Sequence, residues 1–138
     1  LNLGEKTATI GTLGNSLIKK PSNKNLTSPE PITLSKQLVK LSKNKTKYLV
    51  MEASSHGLHQ KRFYGLKFDA CVLTNISQDH LDYHKTMSHY IMSKLKLFSD
   101  YVKKDSKIIV NSETKYIDRV KSYLKKERSD PNSKLLTH

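Results

Sequence analysis

The sequence predicts an α/β domain with a mostly parallel sheet flanked by helices. Three observations predict it. Two apolar runs, Tyr48 to Ala53 and Ala70 to Thr74, are hydrophobic on both faces and broken only by Glu52, as buried parallel strands are. Apolar residues recur at helical spacing before and after these runs. Strand-like and helix-like segments alternate along the chain, which calls for right-handed crossovers. In such sheets ligands bind beyond the carboxyl ends of the strands. Glu52 and the segment Asn75 to His84 both fall at such ends.

In chain order, Thr7 to Leu13 alternates and β-branches as a strand, with Gly14-Asn15 as a turn. Residues 19–26 form a polar loop. Thr27-Ser28-Pro29-Glu30 is a helix-start signal, because a hydroxyl can cap free N–H groups and Glu suits the positive end of the dipole. Leu34, Leu38 and Leu41 then make one stripe of a helix over 31–43. Tyr48 to Ala53 is a strand, Ser54 to Lys67 a polar connection, and Ala70 to Thr74 a second strand. A helix spans 86–102. Lys107 to Val110 is a further strand, and Ile117, Val120 and Leu124 mark a last helix. KLLTH, at the end, reads as the opening of another strand.

The chain has 138 residues, enough for one domain with a real core. No apolar run approaches the roughly 20 residues that span a bilayer, and no signal peptide is visible. The single Cys71 lies in an apolar run and reads as a small buried hydrophobe in a reducing compartment. We therefore expect a cytoplasmic protein, without membrane insertion and monomeric. The net charge of +13 raises a polyanion as partner. The lysines are spread along the chain, however, with no arginine-rich run and no interleaved aromatic platform, so we expect no nucleic-acid partner. The chain lacks an initiator Met and Leu1 falls mid-domain, as in a fragment of a longer protein.

Chemistry-bearing residues concentrate between Tyr48 and Phe98. Glu52 ends a hydrophobic strand, either as an edge carboxylate paired with lysine or as a metal ligand or base suited to Mg²⁺. Asp79-His80-Leu81-Asp82-Tyr83-His84 is dense in ligands. On a helix His80 and His84 would share a face, which permits a metal site; the alternative is a polar loop with an acid capping a helix. Neither HExxH nor a cysteine pair occurs, so zinc has little support. Lys94 falls within the apolar stripe of Met87, Ile91, Leu95, Phe98 and Tyr101, while Lys96 points the opposite way. A lysine on a buried face must snorkel, pair with an acid, lose its proton or be modified. Ser54, Ser55, His56, His59, Gln60, Lys61 and Arg62 line the connection after Glu52, either as a solvated loop or with Gln60 and Arg62 as readers of a polar or anionic substrate. Gly11-Thr12-Leu13-Gly14 is no phosphate loop, since no GxxxxGK[ST] occurs.

Taken together these residues resemble the Mur ligase family. Three blocks carry the resemblance: LTSPEP at 26–31, MEASSHGLHQKRF at 51–63 and TNISQDHLDYHKTMSHYIMSKLKLF at 74–98. It continues weakly through IIVNSET at 108–114, where NSET replaces the more usual NADD. The resemblance implies part of a central, P-loop NTPase-like ATPase domain over residues 1–138, without the phosphate-binding loop or the N- and C-terminal domains, and inactive alone. It implies a peptidoglycan ligase using ATP and Mg²⁺. Such an enzyme adds a third amino acid, diaminopimelate or lysine, to UDP-N-acetylmuramoyl-L-Ala-D-Glu through an acyl phosphate. By resemblance, Glu52 and His80 would bind Mg²⁺, and Lys94 matches the lysine that this family carbamylates. Thr27, Ser28, Ser54, Gln60 and Arg62 match residues that contact the UDP-muramoyl-peptide; Ser28 replaces the usual second threonine but keeps the hydroxyl. SSHGL with Gln60 and Arg62 favours this branch over another Mur or folylpolyglutamate-type ligase. A metal-dependent hydrolase built on Glu52, Asp79, His80 and His84 is the alternative from a different class.

Overall fold

Thr7 to Gly11 alternates so that Ala8 and Ile10 are buried and Thr7 and Thr9 are not, and it forms strand β1 (Thr7–Gly11). The computed structural model describes residues 4–12, 14–15, 26–127 and 135–137. They fall into two compact units, divided between Tyr64 and Gly65. Each is built on its own three-stranded sheet.

In the first unit β1 pairs antiparallel with β2 (Gly14–Asn15) and parallel with β3 (Tyr48–Met51), in the register Thr7↔Tyr48 to Ile10↔Met51. The first strand is therefore shorter than expected. The expected Gly14-Asn15 turn is itself paired, because the chain reverses just before it and sets Gly14 opposite Gly11. The polar loop expected over 19–26 lies almost wholly outside the described residues. Parallel pairing needs a crossover, and α1 (Pro31–Lys43) supplies it with the bounds its leucine stripe predicts. Leu34 and Leu41 are buried and Leu38 is half-buried. The start signal works differently from expectation. Glu30 is the N-cap in extended conformation, no side chain caps the helix, and Pro31 sits at its start. The Thr27 and Ser28 hydroxyls are engaged elsewhere, as described below. β3 is also not buried on both faces: Tyr48 and Val50 are exposed among the described residues, while Leu49 and Met51 turn inward. A five-residue helix, α2 (Ser55–His59), follows where a polar connection was expected.

The second unit runs β4 (Phe68–Leu73), α3 (Leu81–His84), α4 (Met87–Asp100), β5 (Val102–Val110), α5 (Ile117–Glu127) and β6 (Leu135–Thr137). Its sheet order is β4-β5-β6, all parallel. β6 holds the strand expected at KLLTH. The core gathers Cys71, Leu73 and Ile76 from β4 and the turn after it, Tyr90, Ile91, Leu95 and Phe98 from α4, Ile108 and Val110 from β5, and Val120 and Leu124 from α5. Each large apolar side chain so buried contributes roughly 1.5–3 kcal/mol, which holds both helices on the sheet. Thr86 starts α4 by accepting a hydrogen bond at Oγ1 from the His89 N–H, 3.2 Å. No helix among the described residues is long and apolar enough to cross a membrane.

Candidate functional site

Thr27, Ser28, Glu52, Ser54, Gln60 and Arg62 lie in the first unit, and the strand end after β3 organises them. Ser28 is buried to 1% exposure. Its hydroxyl donates to the Glu52 carbonyl at 3.2 Å and accepts the Ser54 N–H at 2.9 Å. It splices the turn before α1 onto the chain leaving β3. Ser54 caps α2, accepting the Gly57 N–H at 3.1 Å. That bond uses one lone pair and leaves the hydroxyl proton to donate. The Glu52 carboxylate is exposed and accepts a hydrogen bond at Oε2 from Thr12 Oγ1, 2.7 Å. Thr12 and Thr27 hydroxyls lie 3.1 Å apart. Glu52 also lies across Gly11, where an added Cβ would come within 2.6 Å of the carboxyl carbon.

Arg62 is the other organiser. It is buried, not solvated as a loop arginine would be. Nη1 donates to the Ser28 carbonyl at 2.7 Å, while Nε and Nη2 donate to Gln60 Oε1 at 2.9 and 2.5 Å. Nη2 is also 3.1 Å from Glu30 Oε1. One planar fork therefore ties the turn before α1, through Ser28 and Glu30, to the chain after α2. Gly57 is required by close approach: a Cβ there would sit 2.7 Å from Ser28 Cβ and 3.2 Å from Phe63 Cε2. Gly57→Ala should destabilise the first unit by about 1–3 kcal/mol, the usual cost of overpacking. A shift in the urea midpoint checks this, and an unchanged midpoint would show that Ser28 moves aside freely.

In the second unit the tips of β4 and β5 are tied by polar bonds. Thr114 Oγ1 accepts the buried Ile76 N–H at 3.1 Å, and Asn111 Nδ2 donates to the Thr74 carbonyl at 3.0 Å. Beyond these tips Asp79 and His80 are exposed and paired, with His80 Nε2 3.3 Å from Asp79 Oδ2. His80 is left-handed, φ 54°, a region that non-glycine residues enter at a cost. His80 and His84 do not form the ligand pair that their spacing permits. His80 precedes α3 and faces solvent, whereas His84 ends it and is 4% exposed. Among the described residues no three His, Cys, Asp or Glu side chains that could hold a metal ion stand together.

Lys94 is half-buried on α4, a helix that buries Tyr90, Ile91, Ser93, Leu95 and Phe98. Its ammonium lies 5.2 Å from the Tyr90 ring centroid. Burial pushes its pKa below the ordinary lysine value, and the Asp79 carboxylate opposes this. A lowered pKa enlarges the neutral, nucleophilic fraction. Lys96 is half-buried as well, so helical phasing overstated the contrast between the two. Glu52 belongs to the first unit, His80 and Lys94 to the second. Tyr90, Ser93 and Gly57 were not singled out from the sequence; only Tyr90 carries a signal, lying four residues before Lys94 on the same helix.

The profile of the family described as the Mur ligase middle domain matches residues 2–134. The chain belongs to the Mur ligase family. A relative from Rickettsia bellii, named UDP-N-acetylmuramoyl-L-alanyl-D-glutamate–2,6-diaminopimelate ligase, is 42% identical over 130 residues, 91% of this chain and 27% of its own length. A relative of the same name from Aquifex aeolicus is 44% identical over 121 residues, 87% of this chain and 24% of its own length. A solved structure of a ligase with that name superposes with a TM-score of 0.75 at 29% identity, covering 97% of this chain and 26% of that one. The chain thus spans about a quarter of the length of the curated relatives it matches. As a Mur ligase middle domain, it carries its polar constellation on the two strand ends, after β3 and after β4, where α/β sheets hold ligands.

Proposed function

We propose that this chain is the middle-domain part of an ATP-dependent ligase that adds 2,6-diaminopimelate to UDP-N-acetylmuramoyl-L-alanyl-D-glutamate. The observation that carries the reading is Lys94: an amine half-buried on an apolar helix face, over an aromatic ring, with its pKa lowered. Within a Mur ligase, that is where a lysine carbamate would form. CO₂ adds to the neutral amine, a proton leaves, and the buried cation becomes an anion. The shared names of the relatives favour diaminopimelate over lysine as the third amino acid.

The donor chemistry fits Mg²⁺. This cation takes one or two carboxylates and otherwise water and phosphate oxygens, and Glu52 is an exposed carboxylate; His80, an exposed imidazole, joins it on the family resemblance. Glu52 and His80 would hold it, and when bound it would neutralise charge on the transferring phosphoryl group. The chain's own residues hold substrate. Thr27, Ser54 and Gln60 offer hydrogen-bonding groups around the strand end after β3. Ser28 and Arg62 act there largely by fixing that surface, since their polar atoms are engaged with one another's segments. The substrate carboxylate attacks the γ-phosphorus of ATP and ADP leaves, giving an acyl phosphate. The diaminopimelate amine then attacks the acyl carbon, phosphate leaves and the nitrogen loses a proton. No GxxxxGK[ST] occurs in these residues, so the ATP phosphates would be cradled by residues outside them.

The test is ligation by the complete protein that carries this chain, supplied with the UDP-dipeptide, diaminopimelate, ATP and Mg²⁺. One ADP should form per tripeptide product, with diaminopimelate preferred over lysine. Addition of glutamate to a folate instead, or hydrolysis without ATP, would overturn the proposal.

A further inference from the structure

α3 is a single turn held between two left-handed residues, His80 at φ 54° and Lys85 at φ 64°. A four-residue helix with such ends does not hold its own conformation, so something outside it must. The described residues offer three groups that do. His84 is buried, with Nδ1 3.5 Å from Ser93 Oγ on α4. The Ser93 hydroxyl donates its one proton to the His89 carbonyl at 2.8 Å. It therefore meets His84 as an acceptor, and Nδ1 carries the donated proton. Tyr90 is the common neighbour. Its ring lies edge-on to His84, centroids 5.5 Å apart, and 6.5 Å from the His80 ring. The same ring lies under the Lys94 ammonium.

We propose that His84, Ser93 and Tyr90 form a buried bracket that positions His80 relative to Lys94 and so sets the metal affinity of the site. His84 and Ser93 are positioning residues. Each lies next to a residue of the proposed site, His84 one helical turn after His80 and Ser93 directly before Lys94. A loosened bracket lets α3 relax from its left-handed ends, and His80 moves with it. The inference rests on the reading of His80 and Lys94 given above. Partners that orient a metal ligand commonly change metal affinity by 10–100-fold when removed.

The test uses the complete protein in bicarbonate buffer, with Mn²⁺ as the probe followed by electron paramagnetic resonance. Ser93→Ala and His84→Phe should each weaken Mn²⁺ binding by about tenfold. Ser93→Ala should fold normally, because alanine favours the helix. His84→Phe keeps the ring packing on Tyr90 but deletes the donor. His84→Asn, which puts an amide donor near the position of Nδ1, should restore affinity to within about threefold of wild type. Wild-type Mn²⁺ affinity in both Ser93→Ala and His84→Phe would overturn the bracket. So would a loss of affinity in Ser93→Ala that merely follows a loss of folded protein by circular dichroism. Lys94→Ala separates the two levels: if it binds Mn²⁺ and ligates like wild type, the site assignment itself fails. If it is impaired while the bracket variants are not, the bracket alone fails.

Discussion

Lys94→Ala in the complete protein should lower ligation by at least about a hundredfold, the loss expected when a preorganised charge is removed from a closed site, and should leave the fold intact. The two halves of this expectation have one cause. The lysine is half-buried, its amine over the Tyr90 ring, and burial disfavours its protonated form. An unmodified ammonium there is a liability to stability, so its removal costs the fold little. Carbamylated, the side chain is an anion, and its removal takes that charge from the site. The pH dependence follows in sign. The folded-state pKa lies below that of the unfolded chain, so between the two values the unfolded state binds more protons and stability rises with pH. The unmodified protein should show that rise and Lys94→Ala should flatten it, in urea titrations taken from neutral pH towards the ordinary lysine pKa without bicarbonate. A short carboxylate added to Lys94→Ala should restore part of the activity. Full activity in the variant would contradict the reading.

Arg62→Ala should destabilise the first unit by about 1–3 kcal/mol. The magnitude comes from what the guanidinium leaves behind. The Ser28 carbonyl loses a buried donor, and a buried acceptor without a partner costs about 1–3 kcal/mol; Gln60 is exposed, so its Oε1 can turn to water instead. The ion pair with Glu30 contributes little, because the Glu30 side chain is 58% exposed; pairs so solvated contribute about 0–1 kcal/mol. Glu30→Gln should therefore shift the urea midpoint far less than Arg62→Ala. Arg62→Lys should recover only a minor part, since an ammonium cannot meet the Ser28 carbonyl, Gln60 Oε1 and the Glu30 carboxylate at once as the planar fork does. The KM for the UDP-dipeptide should rise with Arg62→Ala. Equal midpoints for Arg62→Ala and Glu30→Gln would show that the buried hydrogen bonds matter less than the exposed charge.

Much of the fold could be read from residue spacing. The leucine stripe places α1 without error, and the stripe from Met87 to Phe98 places α4 to within two residues. What spacing could not show is of two kinds. Short elements lack a period: α2 has five residues, two of them histidines and one a glycine, and its start is legible only as a Ser54 cap. The first half of β5 has a single apolar residue, Val102, followed by Lys103, Lys104, Asp105 and Ser106, so no apolar run marks it, and only parallel pairing to β4 extends the strand back to Val102. The second kind concerns what a side chain is doing. Sequence finds Arg62 and Ser28, but their burial and mutual bonding depend on contacts across 34 residues. His80 and His84 look equivalent at i and i+4. The left-handed backbone at His80 and the packing of His84 on Tyr90 separate them into an exposed and a buried imidazole.

The most direct measurement is ¹³C NMR of the complete protein equilibrated with ¹³C-bicarbonate. A buried, neutral-prone amine at Lys94 should give one slowly exchanging carbamate carbon signal in the wild type. That signal should be absent from Lys94→Ala and should fall, together with ligation, when bicarbonate is removed. A fully active wild-type protein with no carbamate signal, or a signal that persists in Lys94→Ala, would contradict the account.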